Sequence, residues 1–279
     1  MSTKSRTAQW VERTLLEAKL ATRLGFKAEM EKRIDYYHDR QLPYLLELLD
    51  DRFEDTKALG LEPEFINVIK TIVDGTALVY RSGAARTLVS ADGEVAPNEK
   101  RLWEWIMATS RLEATMKTVH RMVKLCRTVL VKPSFRGGEI RLDILTPDQI
   151  DVIQSEDDPT EAKAIIYTRP RADTVAADAL VYHYWDSASY RRFTADGEII
   201  RIPGNPKGIN PYRVLPFVRF METLPLSGFF VDAGEDLTVV QDAINLKLVQ
   251  LNHLLKMQSF SVPVLIGYDG PEKIVVAPG

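Results

Sequence analysis

Residues 210–267 decide how this chain reads: NPYRVLPFVRF (210–220), a loop punctuated by Gly and Pro, DLTVVQDAINLKLVQLNHLLKMQSF (236–260) and VPVLIG (262–267). The first run has the pattern of a strand, the second that of an uninterrupted helix, and the third returns to extended structure. No Gly or Pro breaks the pattern from Asp236 to Ser259, and its 24 residues would span about 36 Å at the standard helical rise. Val240, Ile244, Leu248, Leu251 and Leu255 form one apolar stripe, while Val239, Ala243, Leu246 and Val249 form much of a second. A helix that is apolar on more than one face has to be covered on more than one face. Residues 261–279 offer too little to cover it. Packing against neighbouring copies is therefore expected, with the first stripe as the subunit-interface candidates.

N-terminal to this region, residues 131–225 read as β-rich. FRGGEIRLDILTP (135–147) alternates Ile140, Leu142 and Ile144 with Arg141, Asp143 and Leu145 after a Gly-Gly turn, the pattern of a half-buried strand. DQIDVIQ (148–154), AKAIIYTRP (162–170), ALVYHYWD (179–186) and SYRRFTADGEIIRI (189–202) are further short extended runs. The ADGE turn places Gly197 where a hairpin needs positive φ, so the strands are expected to form an antiparallel meander.

Residues 1–130 read mainly as helix. Trp10, Leu15, Leu16, Leu20 and Leu24 recur at helical spacing before a stop at Gly25, and a second helix is expected over 28–39. Pro43 opens YLLELLDDRFED (44–55). In EPEFINVIKTIVDGTALVY (62–80), Phe65, Val68, Ile69, Ile72 and Val73 share a face and Pro63 suits a first turn. RLWEWIMATSRLEATMKTVHRMVKLCRTVL (101–130) reads as a helix broken near Ser110 that passes into a strand at its end. The fold class is α+β.

Composition narrows the function. The net charge of −3 and pI near 5.9 provide no basic stripe of the kind that neutralises phosphates in a tight nucleic-acid binder. A protein of this charge that meets DNA is better suited to letting it pass than to holding it. Cys126 is the sole cysteine, which excludes an intrachain disulfide and a cysteine-built metal site and suits a reducing intracellular compartment. No apolar run reaches the roughly 18–20 residues of a membrane span, so no membrane partner is expected.

Signatures of catalysis are missing. GxxxxGK[ST], HExxH and GxSxG do not occur, and His38, His120, His183 and His253 are scattered. Asp50/Asp51 and Asp157/Asp158 read as turn and surface carboxylates, and Cys126 as core. No cofactor, metal or catalytic residue is assigned, and the chain is read as a non-enzyme. The rival enzyme reading would rest on an unrecognised site in the β-rich region using His183, Asp186 and Glu198. The aromatic run YHYWD with SYRRF allows base stacking, although cross-strand packing of Tyr and Trp is the simpler reading. Lys247 and Lys256 are the basic residues of the long helix.

In their order along the chain, these elements resemble the portal (head–tail connector) proteins of tailed double-stranded-DNA bacteriophages. The resemblance runs from about residue 60 onward. It is carried by FINVIKTIVDGTALVY (65–80), LEATMKTVHRMVKLCRTVLVKP (112–133), EIRLDILTPDQIDVI (139–153), YHYWDSASYRRFTADGEII (182–200), and finally NPYRVLPFVRF with the helix and extended run that follow it. Each motif alone is degenerate, and the ordered set is what is specific. The resemblance implies a helix-rich wing with a β meander over 1–230, a stem helix over 231–260, and the opening of a clip over 261–279. Portal proteins continue through a second stem helix, tunnel loop and crown, so the resemblance covers only the family's N-terminal wing and stem part.

It further implies a homo-oligomeric ring, usually of twelve subunits, around a DNA channel at the capsid vertex. Such a ring serves genome packaging, head–tail joining and DNA ejection. The implied partners are further copies of this chain, the terminase large subunit that hydrolyses ATP, head-completion or adaptor proteins, major capsid and scaffold proteins, and double-stranded DNA in transit. The implied location is the virion, with assembly in the host cytoplasm. Lys247, His253 and Lys256 are the candidates for facing the channel. A head–tail adaptor or minor capsid protein that binds a portal is the neighbouring alternative.

Overall fold

The computed structural model describes Trp10, Arg13 and residues 25–54, 56, 60–90, 93–168, 181–194 and 197–259. The extended run at 262–267, the clip segment 261–279 and most of the N-terminal helix lie outside the described residues. Among the described residues, six α-helices and eight strands follow one another: α1 (Phe26–Tyr37), α2 (Leu42–Arg52), α3 (Val68–Thr76), α4 (Pro97–Ser110), α5 (Leu112–Cys126), β1 (Thr128–Arg136), β2 (Glu139–Leu145), β3 (Ile150–Gln154), β4 (Ala162–Thr168), β5 (Val181–Asp186), β6 (Tyr190–Thr194), β7 (Ile199–Ile200), β8 (Val218–Met221) and α6 (Asp236–Ser259). The class is α+β with antiparallel sheets. The chain divides into two compact units, one of Met1–Ile34 and Ile72–Gly234, the other of Asp35–Thr71 and Glu235–Gly279. The divisions at 34/35 and 71/72 fall inside α1 and α3.

The first unit holds both sheets. One is three-stranded, ordered β2-β1-β8; the other is the five-stranded meander β3-β4-β5-β6-β7. Registers such as Ile165↔Trp185 and Tyr167↔His183 align the faces of β4 and β5. Leu130 and Leu145 of the smaller sheet join Ile150, Val152, Ile165, Tyr167, Trp185 and Phe229 in one buried cluster. Ala164, Ile166, Tyr184 and Phe193 form the cluster on the opposite face of the meander, with Trp10 edge-on to Tyr184 at 5.2 Å. Gly197 adopts φ +84 in the β6–β7 hairpin, as its turn requires.

The long helical pattern of 101–130 breaks where Arg111 takes a left-handed conformation, φ 50, between α4 and α5. α5 buries Met116, Val119, Met122, Val123, Leu125 and Cys126. Arg33 of α1 is fully buried beside its end. Its guanidinium donates to Glu29 at 3.0 Å, to the Leu125 carbonyl at 3.0 Å and to the Ala233 carbonyl at 2.9 Å.

The second unit is built on α2 and α6, where Leu45, Leu49 and Val249 are buried with Phe65, Phe53, Leu61 and Leu246 around them. One expectation is corrected here. The helix expected to open at Pro63 begins at Val68, and residues 61–67 are irregular. Asn67 is the local cause: its Oδ1 accepts the Lys70 N–H at 2.8 Å, which is N-cap geometry.

Candidate functional site

The long helix α6 occupies Asp236–Ser259, the span its sequence pattern predicts. Its buried residues are Thr238, Gln241, Asn245 and Val249. At about 100° per residue these fall within a sector of roughly 80°. The stripe turned toward the rest of its own unit is thus mostly polar, and it carries a defined network. Gln241 Oε1 accepts the Val68 and Ile69 N–H groups at 3.0 and 3.2 Å, and its Nε2 donates to the Ile66 carbonyl at 2.8 Å and to Asn245 Oδ1 at 2.9 Å. Asn245 Nδ2 donates to Gln41 Oε1 at 2.7 Å. Tyr36, fully buried, donates its hydroxyl proton to Asp242.

The reason lies in what α6 covers. Residues 61–67 and the first turn of α3 leave backbone groups without regular partners, and buried backbone groups need one. Gln241 serves as a cap for α3 delivered from another helix. The covered face of α6 is thus mostly polar, where the sequence pattern points to its apolar stripes as the faces to be covered.

The apolar residues consequently flank the buried stripe. Val240, Ile244, Leu248, Leu251 and Leu255 lie about 105° to one side of its centre. Val240, Leu251 and Leu255 are 57, 53 and 51% exposed, and Ile244 and Leu248 are half-buried. On the other side lie Val239, Ala243 and Leu246; Val239 is exposed, and Leu246 packs on the Leu45/Leu49/Val249 cluster. Val249, expected in this second stripe, belongs to the buried face.

The three channel candidates do not share a face. Lys247 points nearly opposite the buried stripe and bonds Gln250 at 3.0 Å. His253 is half-buried on the side of Leu246. Lys256 falls at the azimuth of the buried stripe, about two turns beyond Val249, and pairs with Glu62 at 2.6 Å. Sequence spacing missed Gln241 and Asn245 as organisers of this helix. Their separation of four residues within an apolar run was the available signal.

The residues of the rival enzyme reading do not converge. His183 stacks on Tyr167 at 4.8 Å, and its Nδ1 sits 3.1 Å from the Tyr190 hydroxyl. Asp186, three residues on, faces the other side of β5. There it accepts the Tyr184 hydroxyl at 3.0 Å and the Ala188 N–H at 2.7 Å, the work of a turn residue. Glu198 belongs to the β6–β7 turn, where its backbone bonds Thr194. Burial pushes the Cys126 thiol far up, away from the nucleophilic thiolate. Among the described residues no group of three His, Cys, Asp or Glu side chains could hold a metal ion, and no helix is long and apolar enough to cross a membrane.

A scan against protein-family models matches no family, and a search of curated proteins returns no similar sequence.

Proposed function

We propose that this chain is a subunit of an annular, portal-like assembly in which copies of α6 stand side by side around a channel for double-stranded DNA. The observation that carries this reading is the sorting of side chains around α6: polar groups inward, aliphatic groups on both flanks. Burying Gln241 and Asn245 satisfies the backbone of residues 66–69 but leaves Val240, Leu251 and Leu255 exposed, and a neighbouring copy would remove that apolar area from water. In a ring each helix has two neighbours, and two apolar flanks separated by an inward stripe fit that requirement.

Lys247, opposite the inward stripe and between the flanks, is the basic side chain that faces the channel in this arrangement, with exposed Leu254 at nearly the same azimuth. Lys256 is engaged with Glu62 instead. A chain of net charge −3 suits a conduit, since strong phosphate binding would create wells that stall a moving duplex. The chain's role would be structural, at the capsid vertex of a phage virion, with packaging driven by a separate ATP-hydrolysing terminase and with adaptor and capsid proteins docking on the ring.

Negative-stain imaging and sedimentation of the purified protein test the reading together. Annular particles with a central hole are expected, reverting to single subunits when Leu251→Asp and Leu255→Asp are combined. A wild-type protein that stays monomeric throughout the micromolar range overturns it.

A further inference from the structure

A second feature lies in the sheet-bearing unit. The C-terminal end of α4, Arg111, the first turn of α5 and the β1–β2 hairpin enclose a shallow cleft of about 520 Å³. Three arginines line it, Arg111, Arg136 and Arg141, together with Ser110 and Asp143. Two of the cations are partnered along the hairpin: Arg136 with Asp143, and Arg141 with Glu139. Arg111 is exposed and makes no ion pair among the described residues. The lining cations outnumber the carboxylates that hold them, so the cleft is positive overall.

Two further observations point to an anion. The cleft includes the start of α5, whose cap residue Arg111 supplies no side-chain hydrogen bond to the free amides of the first turn. Glu113 in that turn is neutralised by Arg86. Independently, Ser110 is 5% exposed, and its buried Oγ has no hydrogen-bond partner. A buried hydroxyl left unpaired is costly, and a bound ion is one partner that relieves such a group.

We infer that this cleft binds a tetrahedral oxyanion of the phosphate class, held by the Arg111 and Arg141 guanidiniums, with Ser110 Oγ donating to it. Charge-assisted bonds from planar guanidiniums suit phosphate geometry. Free phosphate and a phosphate of a nucleic-acid backbone share this chemistry. The site is independent of the ring: a monomeric protein would still bind phosphate, and failure here leaves the assembly reading untouched.

Titration calorimetry of the whole chain with inorganic phosphate, against chloride at equal ionic strength, is the test. Saturable binding is expected. Arg111→Gly, which keeps the left-handed link at no steric cost, weakens it about tenfold or more. Ser110→Ala weakens binding several-fold, yet leaves the phosphate-free thermal midpoint equal to or above that of the parent. A purely structural serine would lower the midpoint and leave affinity alone. A short DNA duplex lacking terminal phosphates supplies the second arm. If it displaces phosphate, and the displacement is lost in Arg111→Gly, the natural source is the nucleic-acid backbone; without displacement it is free phosphate, and the site stands in both cases. No saturable phosphate binding, or unchanged affinity in Arg111→Gly, overturns the inference.

Discussion

Arg33 and Asp148 are two charged residues with opposite consequences for the stability of the sheet-bearing unit. Arg33 has no exposed surface to speak of, and its guanidinium closes off Glu29 and the carbonyls of Leu125 and Ala233. Arg33→Met removes these bonds and leaves the buried carbonyls without their donor, so urea denaturation is expected to register a loss of about 3–5 kcal/mol, the range for breaking a buried charged network by removing one partner. Asp148 is raised above the ordinary carboxylate range by burial, which outweighs its hydrogen bond from Thr146 and the charge of Lys27. A carboxyl whose folded pKa lies above its unfolded value of about 3.9 binds its proton more tightly when folded. Its contribution is therefore fully present below the unfolded value and is lost as pH rises through the folded one. Asp148→Asn is expected to be more stable than the parent at pH 7, with the advantage shrinking as pH falls through that window. Unfolding curves collected across a pH series check the sign; an advantage that grows on acidification refutes it.

At the scale of elements, α3 and α6 make one another. The first amides of α3 are satisfied by Asn67 from its own chain end and by Gln241 from α6. Asn67→Ala is expected to cost about 1 kcal/mol as a lost cap. Its side chain also donates to the Tyr36 carbonyl at 2.6 Å, so the loss should sit at the upper end of capping effects. Gln241→Leu costs more despite adding apolar volume, since the Ile66 carbonyl and two amides lose their partner at about 1–3 kcal/mol for each buried group left unpaired. Hydrogen exchange at Val68 and Ile69 is the direct readout, and protection there should collapse in Gln241→Leu. Unchanged protection would mean that the amides find other partners and that the polar stripe is incidental. The break between α4 and α5 is equally physical: a left-handed residue cannot continue a right-handed helix, and Arg111 occupies that conformation.

For the whole molecule, the exposed aliphatic flanks of α6 predict how association responds to conditions. Contacts between Val240, Leu251 and Leu255 and the flank of a neighbouring copy would be largely non-ionic. Raising salt from about 0.1 to 1 M, which shortens the screening length from about 10 to 3 Å, should leave the assembly intact, whereas cooling should weaken it. Sedimentation velocity under both conditions is the measurement. Dissociation by salt would point to an ionic interface and against the flanks as the contact. Leu251→Asp with Leu255→Asp should abolish association while circular dichroism stays unchanged, because both side chains are exposed in the single chain.

Local chemistry made much of this protein legible from its sequence. The span of α6 follows from an unbroken helical period, the β1–β2 hairpin from a Gly-Gly pair, the β6–β7 hairpin from Gly197 at positive φ, and the α4–α5 interruption from the faltering pattern near Ser110. Each depends on neighbours within a few residues, and that information is written in order along the chain. The direction in which α6 turns is a different matter. Aliphatic content alone argues for burying Leu251 and Leu255, yet the buried stripe is Thr238, Gln241, Asn245 and Val249. Residues 61–67, nearly two hundred positions away in sequence, decide this, because their unpaired backbone groups need amide side chains opposite them. The gathering of Arg111, Arg136 and Arg141 around Ser110 is likewise a product of packing, in which a helix junction and a hairpin tip share one cleft. Periodicity thus set what the elements are, and the demand that buried polar groups find partners set which way they face.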